Sequence, residues 1–307
     1  MNKDIPDSVW KILTAILFGV FAFLLFYKVT EVPTAFNVDE AGAAYDAFSL
    51  AGYHTDRYLY RFPVYFTNFG GGQNALYTYL TAFLIKIFGY SPLIVRLPAI
   101  LLSLSSAFVF MRLIRKEYGN IPSTITAIFF IILPFSLMHS RWGLESYLLF
   151  PMLIFSCAAF YQAVRSEQTR WFLLSGVLFG LTLYAYTAAY LLLPLFLGIS
   201  LLYLILIRKI CGKNIFAFGV PLFLFAIPLL LMLAVNSDMI PEIRTRYFSI
   251  PRYPFFRAHE IDAGYIITHL KFDRNNIFYN LFVNDHCAYN IIPRFGSMYY
   301  ISIPFII

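Results

Sequence analysis

Two adjacent carboxylates, Asp39 and Glu40, follow the first long apolar segment of the sequence. A carboxylate in such a place can act as a general base that removes a proton from a substrate hydroxyl group. Neighbouring side chains on a helix point about 100° apart, so we expect one of the two groups to be catalytic and the other structural. The alternative interpretation is a plain helix start, in which Asn37 caps the helix and Glu40 completes a capping box.

A second polar group lies at residues 139–145, between two later apolar segments. Arg141 and Glu145 in this short stretch either form a local ion pair or face a polar substrate. Arginine binds phosphate through two parallel hydrogen bonds, so acidic residues beside arginines suit a polar head group that carries a phosphate. Three more arginines accompany the two acidic sites: Arg57, Arg61 and Arg96.

No short motif identifies a cofactor. The run Gly70 to Gly72 lacks a following Gly-Lys-Ser/Thr, so a flexible turn before a helix at Ala75 is favoured over a phosphate contact. The three cysteines and the histidines of the second half show no metal-ligand spacing, and a disulfide framework is not supported either. We therefore predict no metal site, and the sequence leaves a divalent metal requirement open.

The composition identifies the class of protein. Of the 307 residues, 60% are hydrophobic and 13% are charged, against roughly a quarter charged in an ordinary soluble domain. These values exclude a standard soluble enzyme and leave a polytopic membrane protein. The net charge of +7 would indicate nucleic acid as the partner of a soluble protein. In a membrane protein such charge collects in cytoplasmic loops, so nucleic acid is not expected as a partner.

Stretches without charged side chains place the membrane helices, each of which needs about 20 residues. The long stretch from Trp171 to Ile207 is predicted to form two helices with a turn near 184–190. Pro63 and the glycines interrupt the segment 62–85, which leaves about 14 good residues, typical of an interfacial helix. Spans are predicted near residues 10–28, 93–112, 121–139, 147–164, 171–186, 189–207 and 215–235, with an eighth starting at 299–307.

The basic residues set the predicted orientation. If 62–85 lies outside the membrane, the short loops on the side of the N-terminus carry many Lys and Arg residues, and the short loops on the opposite side carry only Arg141. This is the positive-inside pattern. The N-terminus is therefore expected in the cytoplasm, and residues 29–92, 140–146 and 236–298 are expected to face outward. The predicted fold is an all-α, polytopic transmembrane helix bundle, one domain over 1–307, with juxtamembrane helices in the first outward loop. We expect a fragment of a longer protein, because the sequence stops in the short apolar run Ile301 to Ile307.

Several segments in order resemble one family of membrane enzymes. After Asp39-Glu40 come 74–80 (NALYTYL), 86–91 (KIFGYS), 95–99 (VRLPA) and the Arg141 to Glu145 stretch. This series resembles the GT-C superfamily of integral membrane glycosyltransferases, most of all family 39, which includes protein O-mannosyltransferases and lipid A aminoarabinose transferases. Two departures are Gln73-Asn74 in place of prolines, and Glu145 where many members have Asp.

The resemblance implies transfer of a sugar from a polyprenyl-phosphate donor to a lipid, glycan or protein acceptor on the extracytoplasmic side, in a bacterial plasma membrane. Asp39 would deprotonate the acceptor hydroxyl, which attacks the anomeric carbon with inversion. Arginines would stabilise the departing phosphate in place of a second catalytic carboxyl group. The implied site residues are Asp39 and Glu40 as catalytic residues, Glu145 for sugar or acceptor, Arg96 and Arg141 for phosphate, and Arg57, Arg61 and Tyr77 in the remaining substrate site.

A polytopic transporter or lipid flippase is the main alternative. Transporters commonly carry ionisable residues within their spans and contain repeated halves with broken helices, whereas these spans carry almost none. A non-catalytic assembly protein is the third interpretation, and it predicts no clustering of outward acids and arginines. The sequence identifies neither the sugar nor the acceptor.

Overall fold

The computed structural model describes residues 5–68 and 71–254 together with Thr268 and Lys271. The predicted eighth span at 299–307 and most of the predicted loop 236–298 lie outside these residues. Within the described part, the helices are α1 (Asp7–Phe26), α2 (Val38–Tyr53), α3 (Ala75–Phe88), α4 (Pro92–Tyr118), α5 (Asn120–Ile132), α6 (Pro134–Arg141), α7 (Leu149–Ser166), α8 (Thr169–Thr182), α9 (Ala189–Leu206) and α10 (Gly212–Asn236), with a 3-10 turn at Glu145–Leu148.

The membrane bundle predicted from the sequence is confirmed. Five of the described helices are long and apolar enough to cross a membrane, or up to six if α5 and α6, bent by 61° at Pro134, count as one. The bend follows from proline, which cannot donate the backbone hydrogen bond that would continue the helix. A helix occupies each predicted span up to 215–235. The crossings themselves stay predictions, since α8 has only 14 residues.

Two small hairpins add to the predicted all-α architecture. Strands β1 (Tyr65–Asn68) and β2 (Gly71–Asn74) pair antiparallel, directly before α3. Strands β3 (Ile243–Arg244) and β4 (Ser249–Ile250) form the second hairpin. Gly71 and Gly72, which the sequence placed in a flexible turn, are paired strand residues instead. Gly72 is required there, because a Cβ at this position would lie 1.8 Å from the Tyr65 ring on the neighbouring strand.

The helices pack through aromatic side chains and close backbone approaches. Phe172 and Phe179 of α8 are fully buried and contact a cluster that also contains Phe218 of α10. A Cβ at Gly176 would lie 2.2 Å from the Phe218 carbonyl oxygen, so α8 and α10 touch at backbone distance. α8 packs against α7 as well, so this short helix lies between α7 and α10.

The segments predicted to face outward meet at one end of the bundle. The Gly143 N–H donates to Glu40, and the Val64 N–H donates to the Ser249 carbonyl, 3.0 Å away. The turn between α8 and α9 joins them, because the Leu76 N–H donates to the Tyr184 carbonyl at 3.0 Å. The described residues of 29–68, 71–92, 140–146 and 236–254 therefore assemble into one layer at this end.

The basic segments predicted to be cytoplasmic meet at the other end. Arg115 at the end of α4 pairs with Asp7 of α1 at 3.0 Å, and Arg165 of α7 pairs with Glu117. The Thr169 hydroxyl of α8 donates to the Asn214 amide oxygen of α10 at 3.0 Å. These contacts bring together loops that the charge pattern also groups, and the membrane topology itself stays a prediction. The group that faces out of the cell stays a prediction.

Candidate active site

Asp39 lies in the first turn of α2 with its side chain exposed. The Asn37 side chain caps this helix by accepting a hydrogen bond from the Asp39 N–H at 2.7 Å. The predicted cap at Asn37 is therefore confirmed. A carboxylate in the first turn also interacts favourably with the positive end of the helix dipole. The helix start thus presents the Asp39 side chain at the surface.

A buried asparagine donates a hydrogen bond to the Asp39 carboxylate. Asn68, the last residue of β1, donates its Nδ2–H to Asp39 Oδ1 at 2.9 Å. The Asn68 side chain lies against Gly42, where a Cβ would meet Asn68 Oδ1 at 2.8 Å and Arg57 Nη2 at 2.9 Å. Gly42 therefore leaves the space in which the asparagine and the arginine lie side by side.

Arg57 is itself fixed by a carboxylate of α2. Its Nε and Nη2 donate to the two oxygens of Asp46 at 3.0 and 2.8 Å, and its backbone N–H donates to Asp46 Oδ1 at 3.0 Å. Asp46 is almost fully buried, with 1% of its surface exposed. A bidentate pair of this kind fixes the plane of the guanidinium group. Asp46 thus fixes Arg57 next to Asn68, which in turn bonds Asp39.

Glu40 turns away from Asp39 into the protein. It is fully buried and forms a bidentate ion pair with Arg96 of α4, with Nε to Oε1 at 2.8 Å and Nη2 to Oε2 at 3.1 Å. Glu40 Oε1 also accepts the Gly143 N–H at 2.9 Å. The capping-box interpretation of Glu40 does not hold, because the side chain reaches α4 and the 140–146 loop instead of its own helix start. The two adjacent carboxylates therefore occupy different environments, as the helical geometry predicts.

Arg96 has no donor left for a substrate. Besides Glu40, its Nη1 donates to the carbonyls of Val29 and Pro33, and its Nη2 donates to the carbonyl of Ala35. All five N–H groups of the guanidinium are thus used inside the protein, and the side chain is 1% exposed. The sequence assigned Arg96 to a phosphate; the structure gives it these protein partners.

Arg141 also binds carbonyl groups at the end of α1 and in the segment that connects α1 to α2. It donates to the carbonyls of Leu24, Tyr27 and Val32. Arg96 and Arg141 together bind six backbone carbonyls between residues 24 and 35, where the chain passes from α1 to α2. In the described part of the chain, the Arg141 Nε–H and one Nη1–H make no hydrogen bond. Arg141 therefore keeps donors that Arg96 does not have.

Arg61 and Tyr77, two other residues predicted to bind substrate, differ in their exposure. Arg61 is exposed, lies over the Phe62 ring at 6.0 Å from its centroid, and makes no ion pair within the described residues. Tyr77 of α3 is fully buried, and its hydroxyl donates to the Val95 carbonyl. A Cβ at Gly143 would lie 2.6 Å from this hydroxyl oxygen and 2.8 Å from Glu40 Oε1. Tyr77 therefore supports the Glu40 site from beneath and has no exposed surface.

Glu145 lies beside a group of tyrosines. Burial raises the pKa of Tyr65, and the neighbouring Glu145, Tyr190 and Tyr253 raise it further. Burial likewise raises the pKa of Tyr253, whose hydroxyl donates to the Tyr65 carbonyl at 3.3 Å. Both phenols therefore remain protonated and can donate hydrogen bonds at neutral pH. This corner brings β1, the 3-10 turn and residues 251–254 together at the same end of the bundle.

Asp56, in the loop after α2, is a buried acid that the sequence did not single out. Its Oδ1 accepts the N–H groups of Tyr58 and Tyr60 at 2.9 and 2.8 Å, while Oδ2 has no hydrogen-bond partner within the described residues. Burial raises the pKa of Asp56 from 3.8 to about 6. The loop therefore carries a carboxyl group that the folded state prefers to keep neutral.

We expect Asp56→Asn to remove a pH dependence of stability. The folded pKa lies above the unfolded value, so the contribution of Asp56 is fully present below its unfolded pKa and is lost as the pH rises through about 6. An amide oxygen still accepts the two backbone N–H groups but never ionises, so the variant should unfold at a higher temperature than wild type above pH 6. Thermal unfolding on both sides of pH 6 measures this, with the exposed Asp238→Asn as control. An unchanged slope in Asp56→Asn would contradict the prediction.

Two features of the site were missed from the sequence. Asn68 and Asp46 hold the acidic residue and the arginine in place, and neither was a candidate. The run Tyr65-Phe66-Thr67 before glycines is a β-hairpin signal that could have placed Asn68 at a strand end. In the described part of the chain, no three His, Cys, Asp or Glu side chains are grouped so that they could hold a metal ion.

Comparison with known proteins relates this arrangement to membrane enzymes. The family model of dolichyl-phosphate-mannose-protein mannosyltransferases matches residues 74–232, just over half of the chain. The crystal structure of ArnT from Cupriavidus metallidurans bound to undecaprenyl phosphate matches with a TM-score of 0.57 at 15% identity, over 77% of this chain and 43% of that one. The apo structure of the same protein gives 0.55 at 16% identity, over 76% and 43%. No curated protein matches.

These findings confirm the resemblance to the GT-C superfamily that the sequence indicated. At such low identity the two crystal structures show a shared fold. The chain spans less than half the length of those relatives.

Proposed function

The chain belongs to the dolichyl-phosphate-mannose-protein mannosyltransferase family, and from this premise we propose that it is a membrane glycosyltransferase with a polyprenyl-phosphate-linked sugar donor. The proposed acceptor is a hydroxyl group of a lipid, glycan or protein on the extracytoplasmic side. Undecaprenyl phosphate bound to a protein of the same fold supports a lipid-phosphate donor. The family match supports sugar transfer.

One observation carries the proposal most directly, namely the way in which Asp39 is held. Its carboxylate is exposed at the end of the bundle where the loops meet, and Asn68 donates a hydrogen bond to it at 2.9 Å. Asn37 fixes the helix start beneath it by accepting the Asp39 backbone N–H at 2.7 Å. A general base must be exposed to its substrate and fixed in direction, and Asp39 meets both conditions. Glu40 is fixed in direction but fails the first condition, because it is buried in the pair with Arg96.

The proposed reaction is a single displacement. Asp39 accepts the proton of the acceptor hydroxyl group while the oxygen of that hydroxyl group forms a bond to the anomeric carbon. The bond between that carbon and the phosphate oxygen breaks, and the electron pair leaves with the polyprenyl phosphate. Attack opposite to the leaving group inverts the anomeric centre. The negative charge thus moves from Asp39 towards the phosphate, which requires cations rather than a proton donor at the leaving group.

The remaining site residues divide into substrate-binding and positioning residues, according to whether they keep hydrogen-bonding groups that the protein does not use. We assign the phosphate to Arg141, which keeps two N–H groups without partners in the described region, and to the exposed Arg61. Arg57 contributes charge beside Asn68, and Glu145 with its tyrosines binds the sugar or the acceptor. Arg96 and Glu40 are positioning residues in this proposal, because their hydrogen bonds are made inside the protein. Tyr77 supports them from beneath.

The proposal is tested by a transfer assay with the purified full-length protein. Polyprenyl-phosphate donors that carry different radiolabelled sugars are incubated with membrane extracts as a source of acceptor. We expect label to move to the acceptor fraction from at least one donor, and no transfer from the corresponding nucleotide sugar. Transport of the intact donor across the bilayer without sugar transfer would overturn the proposal in favour of a flippase.

The contact between Asn68 and Asp39 gives a sharper prediction. Asn68→Ala removes one hydrogen bond to a charged group, a kind of bond that contributes about 1.5–3 kcal/mol. If that bond orients the base, kcat should fall by at least about tenfold while the KM for the donor changes little. Steady-state kinetics with Asn214→Ala as control separates a loss of base orientation from a general loss of stability. Asn214 makes two hydrogen bonds at the other end of the bundle. A proportional rise in KM would assign Asn68 to donor binding instead.

A further inference from the structure

A cleft lies at the end of the bundle opposite to Asp39. Its volume is about 730 Å³, and α4, α7 and α8 line it. Arg96, which contacts the Glu40 site, and Lys116, which lines the cleft, are 20 residues apart on α4, or about 30 Å along a helix. α7 packs between α4 and α8, and its small residues Ala158 and Ala159 form the floor. The cleft is therefore distant from the proposed reaction.

The lining changes from polar to apolar along the helices. Near the end of the bundle it contains Arg112, Lys116 and the Gln162 amide, together with the Trp171 ring. Deeper walls are formed by Val109 of α4, Phe155 of α7 and Leu178 of α8. From Lys116 to Val109 this gradient covers about 10 Å of helix. A charged entrance above an apolar channel matches a molecule with a polar head and a hydrocarbon chain.

The cleft also carries unmatched positive charge. The acids near this end have their own partners: Asp7 pairs with Arg115, Glu117 with Arg165 and Glu167 with Lys209. Lys116 donates to the neutral Gln162 amide oxygen at 2.8 Å, and Arg112 lies over the Phe108 ring. Neither has an acidic partner among the described residues.

Arg112 and Lys116 stand four residues apart on one face of α4, where like charges repel each other. An anion between them would relieve that repulsion. A guanidinium and an ammonium group are also the side chains that most often bind phosphate. Both side chains and Leu174 are exposed, so the cleft is open to a ligand from the surrounding membrane.

We propose that this cleft binds an anionic phospholipid, with the head-group phosphate between Arg112 and Lys116 and an acyl chain along Ala158, Phe155 and Leu178. Basic pockets between membrane helices bind anionic head groups in this way. The apolar walls distinguish the cleft from a row of loop cations that only sets orientation. The proposal does not depend on the proposed sugar transfer.

Native mass spectrometry of the delipidated full-length protein in a neutral detergent tests this proposal. Added dioleoylphosphatidylglycerol should be retained more tightly than dioleoylphosphatidylcholine. The double variant R112Q/K116Q should lose at least about tenfold in affinity for the anionic lipid, because each basic residue near a lipid surface contributes measurably to binding. The matched control K209Q/K213Q removes two exposed cations of the same end outside the cleft and should bind as wild type does.

The apolar half of the cleft is tested separately. Ala158→Phe should reduce binding of both lipids while the melting temperature stays near that of wild type, because the new ring fills the acyl channel. Glycerol phosphate, which has the head-group anion and no acyl chain, should not compete. Equal retention of the two lipids, wild-type binding by R112Q/K116Q, or competition by glycerol phosphate would each overturn the proposal.

Discussion

Asp39→Asn is expected to reduce sugar transfer by about 10²- to 10⁴-fold, which is the usual contribution of a general base. The amide has nearly the shape of the carboxylate, and its oxygen can still accept the hydrogen bond from Asn68, which is 2.9 Å long in the structure. It cannot accept the acceptor proton. The loss should therefore appear in kcat, measured with a radiolabelled polyprenyl-phosphate donor, and the protein should remain folded.

The matched control for this variant is Asp238→Asn. Asp238 is also exposed, belongs to the same end of the bundle, and pairs with Arg252 at 3.0 Å. Its loss should leave transfer within about twofold of wild type, since exposed ion pairs contribute only about 0–1 kcal/mol. If Asp39→Asn were as active as this control, Asp39 would not be the general base.

The second large effect is expected from the buried pair of Glu40 and Arg96. Glu40→Ala leaves the Arg96 guanidinium charged and buried without its partner, and it leaves the Gly143 N–H without an acceptor. Removal of one member of a buried pair typically costs about 3–5 kcal/mol. We expect a melting temperature lower by roughly 10 °C in detergent, together with reduced transfer, because Arg96 also fixes the connection from α1 to α2.

An exposed pair on that same connection provides the comparison. Lys28 and Glu31 lie 3.2 Å apart, with 51% and 63% of their side chains exposed. Glu31→Ala should change the melting temperature by no more than about a degree or two, because solvent screens the pair. Arg96→Lys should behave like Glu40→Ala rather than like wild type, since an ammonium group cannot bind both carboxylate oxygens and three carbonyls in one plane. Equal stability of the Glu40 and Glu31 variants would contradict a structural role for the buried pair.

Much of the architecture follows from where charges are missing. Apolar stretches of membrane length predicted helices at the positions of α1, α4, α7, α9 and α10, because a bilayer leaves the backbone no other way to satisfy its hydrogen bonds. Sorting the loops by their basic residues predicted which would lie together, and the contact of Arg115 with Asp7 and that of Gly143 with Glu40 agree with the two groups. The orientation of these groups relative to the cell rests on the charge pattern alone.

The partners of the site residues did not follow from the sequence. Glu40 and Arg96 are 56 residues apart, and nothing local indicates that they meet. An arginine at the outward end of a span has the same pattern whether it binds phosphate or backbone carbonyls, so Arg96 was predicted to bind substrate. The segment after α1 leaves backbone carbonyls that need hydrogen-bond donors. Arg96 and Arg141 donate to these carbonyls, which explains why Arg96 and part of the Arg141 guanidinium are used inside the protein. Asn68 was missed because its partner depends on the β1–β2 hairpin.

Donor binding and sugar transfer, both measured on one preparation of the full-length Asp39→Asn variant, test directly whether Asp39 is the general base. If Asp39 is the base, the variant should bind the polyprenyl-phosphate donor with the Kd of the wild type, since the proposed phosphate contacts come from Arg141 and Arg61. A single turnover with bound donor and excess acceptor should then be slower by at least about 100-fold. Wild-type turnover by this variant, or a loss of donor affinity as large as the loss of rate, would show that Asp39 is not the general base.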